Sequence, residues 1–247
     1  MSELEPGLEP ALRSIAVDLA HRAGEALASR SPGSMQAKSS PTDMVTDADR
    51  AAEKLIFQTL MQLRPGDTIV SEEGSVNQGD SGVEWVIDPL DGTINYIYGI
   101  PQWCVSIGVE GSVRLGVVHD PNRQETFCDP ESLVPSTNTE LADSLIGTGF
   151  SYSADVRAEQ AAVLQRVMPL VRDIRRAGSC ALDLAWVACG RLDGFYERGV
   201  HRWDTSAGIA LIEAAGGCVR VHGDLTLAAG TAQLLEKLEA VVTNADG

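Results

Sequence analysis

The segment Glu84–Ile100, EWVIDPLDGTINYIYGI, constrains this chain more than any other. An apolar run reaches Asp88, then Pro89, one apolar residue, Asp91, Gly92 and Thr93. Two carboxylates three residues apart at the end of a buried strand are costly to leave uncompensated. A bound cation relieves their repulsion most simply, and an oxygen-only ligand set suits a hard ion. Pro89 fixes one backbone torsion and Gly92 permits an unusual one, so the turn can aim both side chains at one point. The plainer alternative is a polar turn, since D-P and D-G are turn dipeptides in any case.

Other carboxylates sit at element ends too. Ser71-Glu72-Glu73-Gly74 follows directly on another short strand. Asp43, Thr46, Asp47 and Asp49 crowd the loop and first turn of a helix, where the helix dipole alone accounts for Asp47. Trp203-Asp204 opens a helix after FYERGVHR, and an N-cap role for Asp204 is the plain alternative. Three strand or helix ends, each presenting an oxygen ligand, are better explained by one hard-cation site than by three coincidences.

Composition narrows the function classes. A length of 247 residues allows one large unit or two packed lobes. The net charge of −16 would repel a nucleic-acid backbone. Five cysteines are widely and irregularly spaced without a C-x-x-C pair, and the four histidines make no H-E-x-x-H. Zinc is therefore a poor fit, and the cysteines read as reduced, mostly buried thiols. No apolar run approaches the roughly 20 residues of a membrane helix. The start, MSELEPGLEP, has neither the basic opening nor the apolar core of a secretory leader. The expectation is a cytoplasmic protein without a membrane or nucleic-acid partner.

Periodicity predicts helices over Leu12–Ser29 and from Thr46 through Leu63, separated by the loop SPGSMQAKSSPTDM. Short strands read at Thr68–Val70, Glu84–Ile87, Trp103–Glu110 and Val113–His119. From Ser144 the pattern alternates. LIGTGF precedes a helix over Ala158–Leu170, DIRR one over Cys180–Ala188, and LDGFYE one over Thr205–Ala215. A strand at Cys218–Val221, an apolar stretch LTLAAG and a helix over Thr231–Val242 complete the chain. A β-rich meander followed by β/α alternation fits two layered lobes, 1–143 and 144–247, forming one catalytic unit.

The pieces KSSPTDMVTDAD (Lys38 to Asp49), SEEG (Ser71 to Gly74), WVIDPLDGTINY (Trp85 to Tyr96) and WDTSAGIALIEAAGG (Trp203 to Gly217) resemble, in order, the motifs of the inositol monophosphatase family. That family lies within the lithium-sensitive, magnesium-dependent sugar phosphatases, and the flavour here is actinobacterial. The resemblance implies an α/β fold of five layers, αβαβα, of the inositol monophosphatase/fructose-bisphosphatase type. It implies two or three Mg2+ ions. Glu72, Asp88 and the Leu90 carbonyl would bind the first, and Asp88, Asp91 and Asp204 the second. Glu72 would reach a loosely held third ion through water. Thr93 paired with Asp49 resembles the couple that orients the attacking water, with Glu72 or Thr93 helping to take its proton. The N–H groups of Gly92 and Thr93, beside Asp91, would receive the phosphate. The activity implied is hydrolysis of inositol-1-phosphate or a similar small sugar or cyclitol phosphate by direct attack of a metal-activated water, in a homodimer.

On the alcohol side, Glu197 matches the family's hydroxyl-binding carboxylate, although a surface charge would also explain it. Gly178-Ser179-Cys180 matches the segment lining the inositol pocket, and Lys38 matches a loop that closes over the metals. Arg175 is either a pocket residue or a strand-end charge. His201, close to Asp204, reads as packing, since the carboxylate set is complete without it. GTGFSY (Gly147 to Tyr152) lacks the third glycine of a dinucleotide loop. The stretch DPESLVPSTNTELAD is shorter than the family's usual hairpin, so the lobe edge and any subunit contact there can differ. Sister activities on histidinol phosphate, fructose 1,6-bisphosphate or 3′-phosphoadenosine phosphate share the same motifs. A non-catalytic interaction protein on the same scaffold is the reading from another class.

Overall fold

The computed structural model of the protein describes residues 7–31, 33–37 and 44–243. Lys38 and Asp43 lie outside them. Leu12, Ala16, Leu19, Ala23 and Leu27 form the buried stripe of α1 (Leu8–Ala28), as their helical spacing predicts. The expected loop beyond it holds a short antiparallel pair, β1 (Met35–Ala37) and β2 (Met44–Thr46). Thr46 then caps α2 (Asp47–Leu63), its hydroxyl accepting from the Ala48 and Asp49 N–H groups.

The first half continues with β3 (Thr68–Ser71), β4 (Val76–Asn77), β5 (Val83–Asp91), the single turn α3 (Thr93–Ile97), β6 (Cys104–Gly111), β7 (Leu115–Asp120) and β8 (Glu125–Phe127). These strands make one sheet in the order β4-β3-β5-β6-β7-β8. Only β3 and β5 run parallel. Strand β5 is buried almost throughout because both its faces are covered. Residues 128–144 carry no strand, only two 3-10 turns, at Pro130–Ser132 and Leu141–Asp143.

The second half contains β9 (Leu145–Thr148), α4 (Ala154–Val167), β10 (Asp173–Arg175), α5 (Cys180–Ala188), β11 (Gly194–Arg198), α6 (Arg202–Ala214), β12 (Cys218–His222), β13 (Leu225–Ala229) and α7 (Ala232–Thr243). Its sheet has the order β10-β9-β11-β13-β12. The apolar stretch LTLAAG thus becomes a fully buried inner strand, β13. Helix α4 begins before the expected Ala158 and ends before Pro169, which cannot continue the helical ladder. Helix α6 starts at Arg202, so Asp204 is its third residue and not its N-cap.

Five layers result. Helices α1 and α2 cover one face of the first sheet, α5 and α6 lie between the sheets and touch both, and α7 covers the far side with α4 packed on it. Three buried clusters match these interfaces, around Trp85 and Ile107, around Leu182 and Leu211, and around Leu227 and Leu238. No described helix is long and apolar enough to cross a membrane.

Candidate active site

Strands β3 and β5 are parallel neighbours, with Ser71 beside Ile87, so the residues that follow them emerge side by side. Crevices beyond the carboxyl ends of parallel strands are where such sheets bind ligands. The Glu72 N–H bonds to the Ile87 carbonyl at 3.1 Å, holding Glu72 next to Asp88. The pairing of β5 with β6 is regular to Asp88 opposite Ser106, then resumes at Asp91 opposite Cys104. Three steps on β5 therefore match two on β6. This bulge falls on Pro89, which has no N–H to lose, and the freed Leu90 N–H turns to Asp88 Oδ1 at 3.0 Å. The extra residue turns Asp88 and Asp91 toward one side. Helix α6 brings Asp204 to them from its first turn.

One carboxylate oxygen each from Asp88, Asp91 and Asp204 lies within 4.8 Å of the other two. Burial pushes Asp88 well above the usual carboxylate range, and Glu72, Asp91 and Asp204 push it further. Burial and the Asp91 charge raise Asp204 likewise. Asp91 is driven up to about 6 by burial, although the Ser179 hydroxyl and the Ala181 N–H both bond its Oδ2. Among the described residues, no arginine or lysine bonds any of the three. Without a counter-cation, burial and mutual repulsion disfavour their ionised forms; with one, they offer the all-oxygen set that Mg2+ takes. The donor set fits a hard divalent ion.

Beside the cluster, the Thr93 hydroxyl lies 3.1 Å from Asp49 Oδ1 and 3.0 Å from the Leu90 carbonyl. The other Asp49 oxygen caps α2, accepting the Thr46 N–H at 3.0 Å. Asp49 thus ties the first turn of α2 to the turn after β5, and burial raises its pKa. Gly92 has φ +92, and a Cβ there would lie 2.9 Å from the Gln102 carbonyl oxygen. Glycine is required at that position.

Glu72, the three clustered aspartates, Gly92 and Thr93 line a cleft of about 630 Å³ that continues past Gly178, Ser179, Cys180 and Glu197. Glu197 sits near the end of β11, its pKa raised to about 8 by burial and by Asp91, against the pull of Arg176. Lys38 is outside the described residues. Arg175 is a strand-end charge, ion-paired with Asp173 at 2.5 Å; it is the next residue, Arg176, that lines the cleft. The His201 ring stacks on Trp203 with centroids 4.9 Å apart, and the His201 backbone N–H donates to Asp204 Oδ2 at 2.6 Å. Asp183 was not anticipated. It lines the same cleft, 1% exposed, with one carboxylate oxygen that has no hydrogen-bond partner among the described residues. One acid inside the apolar run CALDLAWVA carries no sequence signal for that position.

The profile of the inositol monophosphatase family matches residues 10–245. A Mycobacterium tuberculosis protein named inositol-1-monophosphatase SuhB is 43% identical over 245 aligned residues, 86% of this chain and 84% of that protein. An Escherichia coli protein named Nus factor SuhB is 39% identical over 222 residues, 83% of each. Among solved structures, the extragenic suppressor protein suhB of Bartonella henselae superposes with a TM-score of 0.88 at 33% identity, covering 96% of this chain and 100% of that one.

Proposed function

This chain belongs to the inositol monophosphatase family, and from that premise we propose that it is a Mg2+-dependent phosphomonoesterase acting on inositol-1-phosphate or a similar small cyclitol or sugar phosphate. The observation that carries the reading is the convergence of Asp88, Asp91 and Asp204, with no cationic side chain among their partners in the described residues. Glu72, Asp88 and the Leu90 carbonyl would hold one ion, and Asp88, Asp91 and Asp204 a second. Bound Mg2+ would screen the phosphate dianion, ease deprotonation of water and stabilise the departing alkoxide.

The chain's own groups then do the positioning. The Thr93 hydrogen can go to Asp49 or to the Leu90 carbonyl, which leaves the hydroxyl oxygen free to accept a hydrogen bond from the attacking water. Glu72, beside Asp88, or Thr93 itself would help to take the proton. Backbone N–H groups of Gly92 and Thr93 would receive the phosphate, and the bulge fixes their direction. Glu197 would accept hydrogen bonds from the alcohol's hydroxyls, with Gly178, Ser179 and Cys180 forming the adjoining wall. Lys38 would approach from its loop. The reading extends to a cytoplasmic homodimer whose partner is a small phosphate ester, with nucleic acid disfavoured by the net charge of −16.

The test is phosphate release with and without Mg2+ from inositol-1-phosphate, histidinol phosphate, fructose 1,6-bisphosphate and 3′-phosphoadenosine phosphate. The expected result is Mg2+-dependent turnover, lost in excess EDTA and fastest on inositol-1-phosphate. Preference for another ester would replace the substrate and keep the chemistry. A second reading, a Nus-factor-like role without turnover, is favoured by the name of the E. coli relative. Failure to release phosphate from any ester at saturating Mg2+ would put that reading first.

A further inference from the structure

Arg202 breaks a local rule. It is the first residue of α6, where free N–H groups and the helix dipole disfavour a cation. The first sheet supplies the reason. Glu84 on β5 and Glu110 on β6 stand directly opposite each other, two like charges that repel. The Arg202 fork bridges them: Nη1 meets Glu84 Oε1 at 2.9 Å, and Nη2 meets Glu84 Oε2 and Glu110 Oε2 at 2.6 Å each. The other Glu110 oxygen accepts from the Ser206 hydroxyl, one turn further along α6, at 2.6 Å. Contact is close as well as charged. A Cβ at Gly108 would lie 2.8 Å from the Ser206 Cβ, so the helix rests almost on the strand backbone.

This clamp joins two elements that each carry part of the carboxylate cluster. Glu84 lies on the strand that ends in Asp88 and Asp91, and Arg202 shares the first turn of α6 with Asp204. We propose that Arg202 is a positioning residue that registers α6 against β5, setting the separation of Asp204 from Asp88 and Asp91 and hence the affinity for the divalent ion, without touching that ion. The proposal rests on the metal-dependent reading above. It also predicts a sign. Arg202 is a cation near the cluster, so its charge alone opposes cation binding, and its removal would tighten binding if charge were its whole effect. Positioning demands the reverse.

The test is calorimetric titration of the purified full chain with Mn2+, comparing wild type, Arg202→Met and Arg202→Lys. Lysine keeps the charge and loses the two-pronged geometry. Both variants are expected to bind Mn2+ about tenfold more weakly, the scale set by partners that orient metal ligands. Their kcat at saturating Mg2+ should stay within about twofold of wild type, a split between metal affinity and turnover that a general loss of structure would not give. Unchanged or tighter Mn2+ binding in the lysine variant would overturn the proposal, and that variant carries the test if the methionine variant does not fold. A wild-type protein that binds no Mn2+ would instead overturn the metal-dependent reading itself.

Discussion

Asp91 shows what the cluster costs the fold when no cation is bound. Its carboxylate, ordinarily near 3.8, is raised to about 6 chiefly by burial. Below pH 4 the group is protonated in both folded and unfolded chains and contributes nothing. Between pH 4 and 6 the unfolded chain ionises first, so the metal-free fold loses stability as pH rises. Above pH 6 the loss is complete, at about 3 kcal/mol. Asparagine keeps an oxygen for the Ser179 hydroxyl and the Ala181 N–H without the charge. Asp91→Asn in EDTA at pH 7.5 should therefore be more stable than wild type by about 1–3 kcal/mol, with little difference at pH 4. Turnover with Mg2+ should vanish. Urea unfolding at the two pH values and phosphate release check both halves, and wild-type turnover would remove Asp91 from the site. The carboxylate was legible in the sequence because a rigid turn follows an apolar run. Arg176 was not, since nothing in Arg175-Arg176 says which side chain the strand turns into the cleft. Asp183 was hidden for a similar reason, as topology alone places it there.

At the scale of elements, the bulge between Asp88 and Asp91 does most to shape the site. Pro89 and Gly92 announced a tight turn, but the offset itself depends on pairing with β6, which one strand's sequence does not contain. The same limit explains other differences. Strands β1, β4 and β8 have only two or three residues each, too few to show alternation. Long periodic segments such as α1 and α2 were legible because they carry several turns of pattern, whereas the true start of α6 at Arg202 was masked by a residue unsuited to a helix N-terminus. The turn after the bulge makes a sharp prediction. Gly92→Ala would force a side chain into φ +92 against the Gln102 carbonyl oxygen. The expected cost is about 1–3 kcal/mol of stability. Because the Thr93 hydroxyl and the neighbouring N–H groups would move with the turn, kcat should fall about a hundredfold. Thermal unfolding and steady-state kinetics on the same preparation decide it. Unchanged kinetics beside a lowered midpoint would confine Gly92 to a folding role.

For the whole molecule, the central fact is that α5 and α6 come from the second half of the chain yet pack on the first sheet. The carboxylate cluster sits on that junction, Asp88 and Asp91 from the sheet and Asp204 from the helix, so a bound divalent ion would tie the halves together. The five-layer architecture, with helices between two sheets, was legible through the family motifs, but which helices form that middle layer was not, because sequence order does not reveal which sheet a helix covers. Ligation only in the folded state stabilises that state by mass action, by about 2.7 kcal/mol at a hundred times the dissociation constant. For a chain of this size that corresponds to a rise of about 5–10 °C in the unfolding midpoint. Protons compete for the same oxygens. Asp91 is pushed to about 6, so at pH 5 an ion must displace a proton that is already gone at pH 8. Saturating Mg2+ should raise the midpoint by the full amount at pH 8 and by much less at pH 5, while EDTA abolishes the difference. Differential scanning calorimetry across that range measures it directly. An equal rise at both pH values would mean that the ion binds somewhere other than this cluster.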